Sequence, residues 1–123
     1  MTVVQALTKT QLNIIINTFV DECSMLFNDK LSDVRLFGSY ARGDYSDESD
    51  IDVMVILDMN DNEVSNSLDG VCRIASELDL EYNISLMPVL QSKNEYELRK
   101  QLYGFCRNVE REGVSKYAGK AYA

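Results

Sequence analysis

Across residues 8–28, apolar side chains recur at three- and four-residue intervals: Leu12, Ile15, Ile16, Phe19, Val20, Cys23 and Phe27. Asn13, Asn17 and Asp21 fall on other faces, and the spacing predicts an amphipathic helix. Beyond Asn28-Asp29-Lys30, the run Val34-Arg35-Leu36-Phe37 predicts a short strand stopped by Gly38. The small, polar and acidic stretch 38–49 predicts a loop with room for one helical turn. Residues 51–57 are apolar and β-branched, a continuous run that predicts a buried strand. Asn60-Asp61-Asn62 can cap a second amphipathic helix over 60–80, marked by Val64, Leu68, Val71, Cys72, Ala75 and Leu78. Residues 82–90 read as a further strand, with Pro88 suited to an edge position or to the strand's end. Ser92-Lys93-Asn94-Glu95 has the capping-box pattern ahead of Tyr96, Leu98, Leu102 and Phe105. A last short helix over 105–111 stops at Gly113, and residues 116–123 are expected to fray. The order α-β-β-α-β-α-α is not a regular parallel βαβ array, so the expected fold class is α/β or α+β: a small mixed sheet with helices packed on it.

Composition narrows what such a fold can do. The 123 residues suit one domain spanning 1–123, with 46% hydrophobic residues and only one proline. No apolar run approaches the ~18 residues needed to cross a bilayer, and the first residues carry no signal-like block, so the cytoplasm is the expected location. Cys23, Cys72 and Cys106 are widely spaced and read as reduced core thiols. There is no histidine, which removes Ser-His-Asp and Cys-His catalysis and two-His metal sites. Twelve basic residues against twenty acidic ones give a formal charge of −8, which argues against an extended nucleic-acid surface. Chemistry here must run on carboxylates, hydroxyls, basic side chains and a bound metal.

The stretch from Gly38 to Val53 offers such a set. Asp50 and Asp52 are separated by one residue at the mouth of the predicted 51–57 strand, so their side chains leave on the same face, roughly 6–7 Å apart. Like charges that close raise a pKa or demand a metal, and hard oxygen donors without His or Cys suit Mg²⁺ or Mn²⁺. Gly38-Ser39 follows the preceding strand, where backbone amides and the Ser39 hydroxyl can hold phosphate oxygens. Two rival motifs fail on the same residues. A P-loop needs Lys and Ser/Thr after Gly43, where Asp44-Tyr45 stand, and a calcium loop needs a closing Glu where Val55 stands.

Gly38-Ser39, ten intervening residues and Asp50-Ile51-Asp52, with Ala41-Arg42-Gly43 and Ser49 through Val53 in detail, resemble the signature of the minimal nucleotidyltransferases of the DNA polymerase β-type superfamily. Residues 81–85 resemble the family's third-carboxylate strand, and residues 108–114 a segment common in stand-alone members. The resemblance implies transfer of a nucleoside monophosphate from ATP or another NTP to a hydroxyl, with release of pyrophosphate. By position it implies that Gly38 and Ser39 bind the triphosphate and that Asp50 and Asp52 ligate metal. Arg42 then either contacts phosphate or forms a structural ion pair with an acidic loop residue.

One departure stands out. Where the family carries its third aspartate, this chain has Asn83, which can ligate through its carbonyl but cannot serve as a base. Glu81, two residues away, is a poor substitute. Stand-alone members that this chain resembles act as antitoxins, paired with a small helical HEPN ribonuclease that they silence by adding AMP. The resemblance therefore implies an adenylyltransferase antitoxin with a HEPN-type partner. The alternative that Asn83 favours is a catalytically weakened nucleotide-binding module acting by contact alone. Transfer to an aminoglycoside normally comes with an added helical domain, and a toxin role would need the HEPN histidine that this chain lacks.

Overall fold

A computed structural model of the chain describes residues 7–102 and 104–117. Helix α1 (Lys9–Phe27) opens on a reciprocal cap: Gln11 N–H donates to Thr8 Oγ1 at 3.1 Å and Thr8 N–H donates to Gln11 Oε1 at 2.9 Å. A 3-10 turn at Asn28–Lys30 leads into β1 (Leu31–Phe37), then the single turn α2 (Ser39–Arg42), then β2 (Ile51–Leu57). Helix α3 (Asp61–Tyr82) carries the same kind of cap, built from Asn60 and Glu63. It connects to β3 (Leu86–Ser92), followed by α4 (Lys93–Leu102), α5 (Gly104–Glu112) and β4 (Val114–Tyr117).

The strands lie in the order β3-β2-β1-β4. β1 pairs antiparallel with both β2 and β4, while β3 runs parallel to β2. The parallel pair requires a crossover, and α3 supplies it. The mixed sheet and its element order match the expectation from the sequence, with three corrections. β1 begins at Leu31 rather than Val34, because its partner β2 is long enough to pair all seven positions apart from a bulge between Leu31 and Asp33.

The strand expected over 82–90 begins only at Leu86. Leu78 and Tyr82 extend the helical spacing of α3 into the core, and Asn83 then closes the helix in the left-handed conformation (φ 54°, ψ 55°). Asn adopts that region more readily than most residues. The Asp79 carboxylate accepts the Leu86 N–H at 2.8 Å and sets where the strand starts. The third correction is β4, an unexpected strand whose last two residues, Lys116 and Tyr117, fall in the stretch expected to fray; residues 118–123 lie outside those described.

Alternation along the strands sorts side chains onto two layers. Ile51, Val53, Val55 and Leu57 join Val34 and Leu36 under α1 and α3, in a cluster that includes Phe19, Cys23, Val71 and Leu78. Met54 and Ile56, on the opposite face, pack with Tyr96 of α4 and Val109 of α5. Cys23 is buried, and burial pushes its thiol pKa up to about 12. Cys72 is exposed, contrary to the expected core position, because α3 turns its Val71, Ala75 and Leu78 stripe inward and Cys72 lies just outside it. The side chain of Cys106 lies outside the described residues. No helix among the described residues is long and apolar enough to cross a membrane.

Candidate active site

Asp52 is the second residue of β2, on the face that carries Met54 and Ile56. Its register partners are Phe37 on β1 and Met87 on β3. Asp50 stands just ahead of the strand, where the Ile51 N–H donates to the Ser85 carbonyl at 2.8 Å and holds the strand mouth against the β3 side. Partial burial raises the Asp52 pKa above the ordinary carboxylate range, the charge of Asp50 raises it further, and Arg42 opposes both. The two carboxylates therefore feel each other, and neither makes an ion pair or hydrogen bond among the described residues.

Gly38 brings the turn against this pair. Its backbone lies at φ 74°, ψ −155°, and a Cβ there would overlap the Asp52 carboxyl. What the missing side chain admits is the Asp52 carboxylate itself. Ser39 opens α2, whose first amides have no intrahelical acceptors. Tyr40 anchors the turn in the core and stacks on Tyr45, with ring centroids 4.2 Å apart and planes 12° from parallel. The following loop is tied by Ser46 N–H to Ser49 Oγ at 2.9 Å.

Arg42 pairs with Asp44 at 3.2 Å and with Glu112 of α5 at 3.5 Å. It thus makes the ion pair with a loop acid expected as one alternative, and it also lines a cavity of about 350 Å³ with Gly38, Ser39, Asp52, Asn108 and Glu112. Asp50 is not among the residues lining that cavity. Helix α5 forms its far wall and is fixed by polar contacts of long sequence range. Arg35 donates to the carbonyls of Gly113 (2.9 Å) and Glu110 (3.3 Å) and pairs with Asp33 at 3.4 Å. Ser115 Oγ donates to Asp33 Oδ1 at 2.7 Å, and Tyr96 O–H to Glu110 Oε2 at 2.6 Å.

Asp50, Asp52, Gly38, Ser39 and Arg42 thus gather around one end of β1 and β2. Asn83 caps α3 and is not on a strand. The residue abreast of Asp52 on the neighbouring strand is Met87, half exposed and without a charge to lend. Register decides that position, and register cannot be read from residues 82–90 alone. Among the described residues no group of three or more acids, cysteines or histidines is placed to hold a metal. The local donors are two carboxylates without an ion pair or hydrogen bond among the described residues, a chemistry that suits one hard divalent cation completed by oxygens of a bound phosphate or of water.

Residues 16–114 match the model of the nucleotidyltransferase domain family. A protein of Methanocaldococcus jannaschii named a candidate protein adenylyltransferase is 33% identical over 102 residues, covering 83% of this chain and 94% of that one. A second from the same organism, similarly named, is 39% identical over 79 residues, covering 64% and 78%. Among solved structures, a candidate nucleotidyltransferase of Sulfolobus solfataricus superposes with a TM-score of 0.54 at 23% identity, over 92% of this chain and 91% of that one. A chain of the MntA-HpeT toxin-antitoxin structure gives 0.53 at 22% identity, over 94% and 76%. Likeness at those identities bears on the fold.

Proposed function

Taking as premise that the chain belongs to the nucleotidyltransferase domain family, we propose that it transfers AMP from ATP to a hydroxyl on a partner protein, and that this partner is the toxin of a toxin-antitoxin pair. The observation that supports the chemistry is the apposition of the Gly38 turn to the Asp52 carboxylate, which also feels the charge of Asp50. The names of the relatives support an adenylyl donor and a protein acceptor. The toxin-antitoxin neighbour supports the pairing, and a HEPN-type helical protein is the partner we favour.

In this reading Asp50 and Asp52 hold Mg²⁺ or Mn²⁺, which when bound supplies neutralisation of the triphosphate and makes an acceptor hydroxyl easier to deprotonate. The chain's own residues do the rest. The amides at the start of α2 and the Ser39 hydroxyl receive phosphate oxygens, and Arg42 supplies positive charge at the cavity wall. Rigid placement of the turn against β2 aligns the α-phosphate for in-line attack. The acceptor oxygen forms a bond to that phosphorus as the bond to the β-phosphate oxygen breaks. Pyrophosphate departs, and the hydroxyl proton is lost. Met87 cannot take that proton, so it leaves to solvent or to a carboxylate oxygen of Asp50 or Asp52.

The test is incubation with α-³²P-labelled ATP, Mg²⁺ or Mn²⁺ and the protein encoded beside this one. Label is expected on that protein, and none with Asp50→Ala combined with Asp52→Ala. Absence of label with either metal would sink the enzymatic reading. Met87 favours a second reading, neutralisation by contact alone. That reading predicts that the double-alanine chain still binds and silences its partner.

A further inference from the structure

On the face of the sheet opposite Asp52, a second cavity of about 400 Å³ opens between α1, α2 and β4. We propose that it is a separate ligand site, for a small anion carrying an apolar ring, with Lys9, Arg42 and Lys116 as its cationic contacts. Its charge is the first argument. The chain has twenty acidic and twelve basic residues, yet among the described residues three basic ones and no acidic one line this cavity. Lys9 lies at the start of α1 and Lys116 on β4, so the fold itself brings the two to one opening. Neither makes an ion pair among the described residues. Two lysines without an ion pair among the described residues at one opening, beside an Arg42 whose own charge is shared with Asp44 and Glu112, raise the local potential in an otherwise negative molecule.

The lining is the second argument. Leu12, Leu36 and Val114 supply apolar walls, and the stacked Tyr40 and Tyr45 add aromatic surface. Asn13 contributes one amide able to donate and accept. An apolar cavity of this volume with a few convergent polar groups is the usual form of a small-molecule site. The cavity between α1 and α3 differs on this point, since Glu22 and Glu77 stand there beside Arg73. Arg42, though paired with Asp44 and Glu112, lines both this cavity and the one containing Asp52, so the two sites share a wall.

Apart from the shared Arg42, the site uses none of the residues assigned to the transfer and needs no metal, which allows the two to be tested apart. Amide NMR of the full chain in EDTA, titrated with phenyl phosphate, is expected to show saturable shifts at Leu12, Ala41, Gly43, Val114 and Lys116. Inorganic phosphate, lacking the ring, is expected to bind about tenfold more weakly, as is phenol, lacking the charge. Lys9→Glu with Lys116→Glu is expected to weaken phenyl phosphate binding at least about tenfold with amide shifts elsewhere unchanged. Should that pair disturb β4, Lys9→Gln and Lys116→Gln, made singly, are each expected to weaken it about threefold. Shifts confined to Gly38, Ser39 and Asn108, non-saturable shifts, or unaltered affinity in the lysine variants would overturn the proposal.

Discussion

Under α1 and α3, Val34, Leu36, Val53, Val55 and Leu57 pack into one apolar cluster with Phe19 and Leu78. On the other face, among the described residues, Met54 and Ile56 pack with Tyr96, Val109 and Phe37, and Arg35, Asp33 and Asp52 emerge from the same layer of the sheet. One face is closed by burial, which is non-directional and tolerant of small shifts. The other is closed by a few directional contacts from Arg35, Tyr96 and Ser115, which tie α5 and β4 to the sheet. The division lets a marginal, charged site exist at the end of a strand whose other side is fully dry. Asp52 sits between Ile51 and Val53, both buried in the apolar layer, and they hold it in place.

The comparison breaks most visibly in the apolar layer. Phe19→Ala is expected to lower unfolding free energy by about 3–5 kcal/mol in urea titrations and to take the carboxylate site down with it. Arg35→Ala is expected to cost about 2–3 kcal/mol by removing charged hydrogen bonds to the Glu110 and Gly113 carbonyls. Its signature is local: hydrogen exchange should quicken at residues 108–117 while α1 and α3 keep their protection. If exchange rose equally on both faces, the division drawn here would be wrong.

Two smaller effects sharpen the contrast. The Cys23 thiol has its pKa raised from 9.0 to about 12, so its folded form holds a proton that the unfolded chain gives up first. Stability from this group is complete below pH 9 and drains away as pH rises toward 12, at about 1.4 kcal/mol per unit. Urea midpoints between pH 9 and 10.5 should show that slope, and Cys23→Ala should flatten it. Asp52 behaves oppositely in purpose. Its raised pKa means that ionisation in the folded chain opposes folding, a contribution that is favourable in acid and lost as pH rises through the raised value. Asp52→Asn should therefore abolish transfer yet raise stability at neutral pH. A destabilised Asn variant would show that Asp52 serves the fold.

The elements legible in the sequence were those whose pattern is dictated locally. The stripe of α1, the apolar run of β2 and the cap at Asn60 depend on neighbours within a few residues. Gly38, Ser39 and Asp52 meet at one cavity as their places in the sequence suggest, since one turn and one strand carry them, whereas Asp50 stands just ahead of that strand and does not line the cavity. What stayed hidden depends on distant partners. β4 has four residues, with Val114 and Ser115 exposed, and exists because β1 offers an edge 78 to 83 positions earlier. Met87 looks like any strand hydrophobe until the register sets it beside Asp52. Asn83 drew attention by its place in a motif, while its backbone was committed to ending α3. The Arg35 contacts span 75 and 78 residues, beyond any local pattern.

The central claim is that the turn at Gly38-Ser39 and the two aspartates form one metal-dependent nucleotide site. It is tested most directly by titrating Mn²⁺ into the ¹⁵N-labelled chain with a non-hydrolysable ATP analogue. Paramagnetic broadening should be strongest at Gly38, Ser39 and residues 50–53, with a single saturating equivalent, and should vanish in Asp50→Ala combined with Asp52→Ala. Broadening centred on another acidic patch, or unchanged in that variant, would contradict the account.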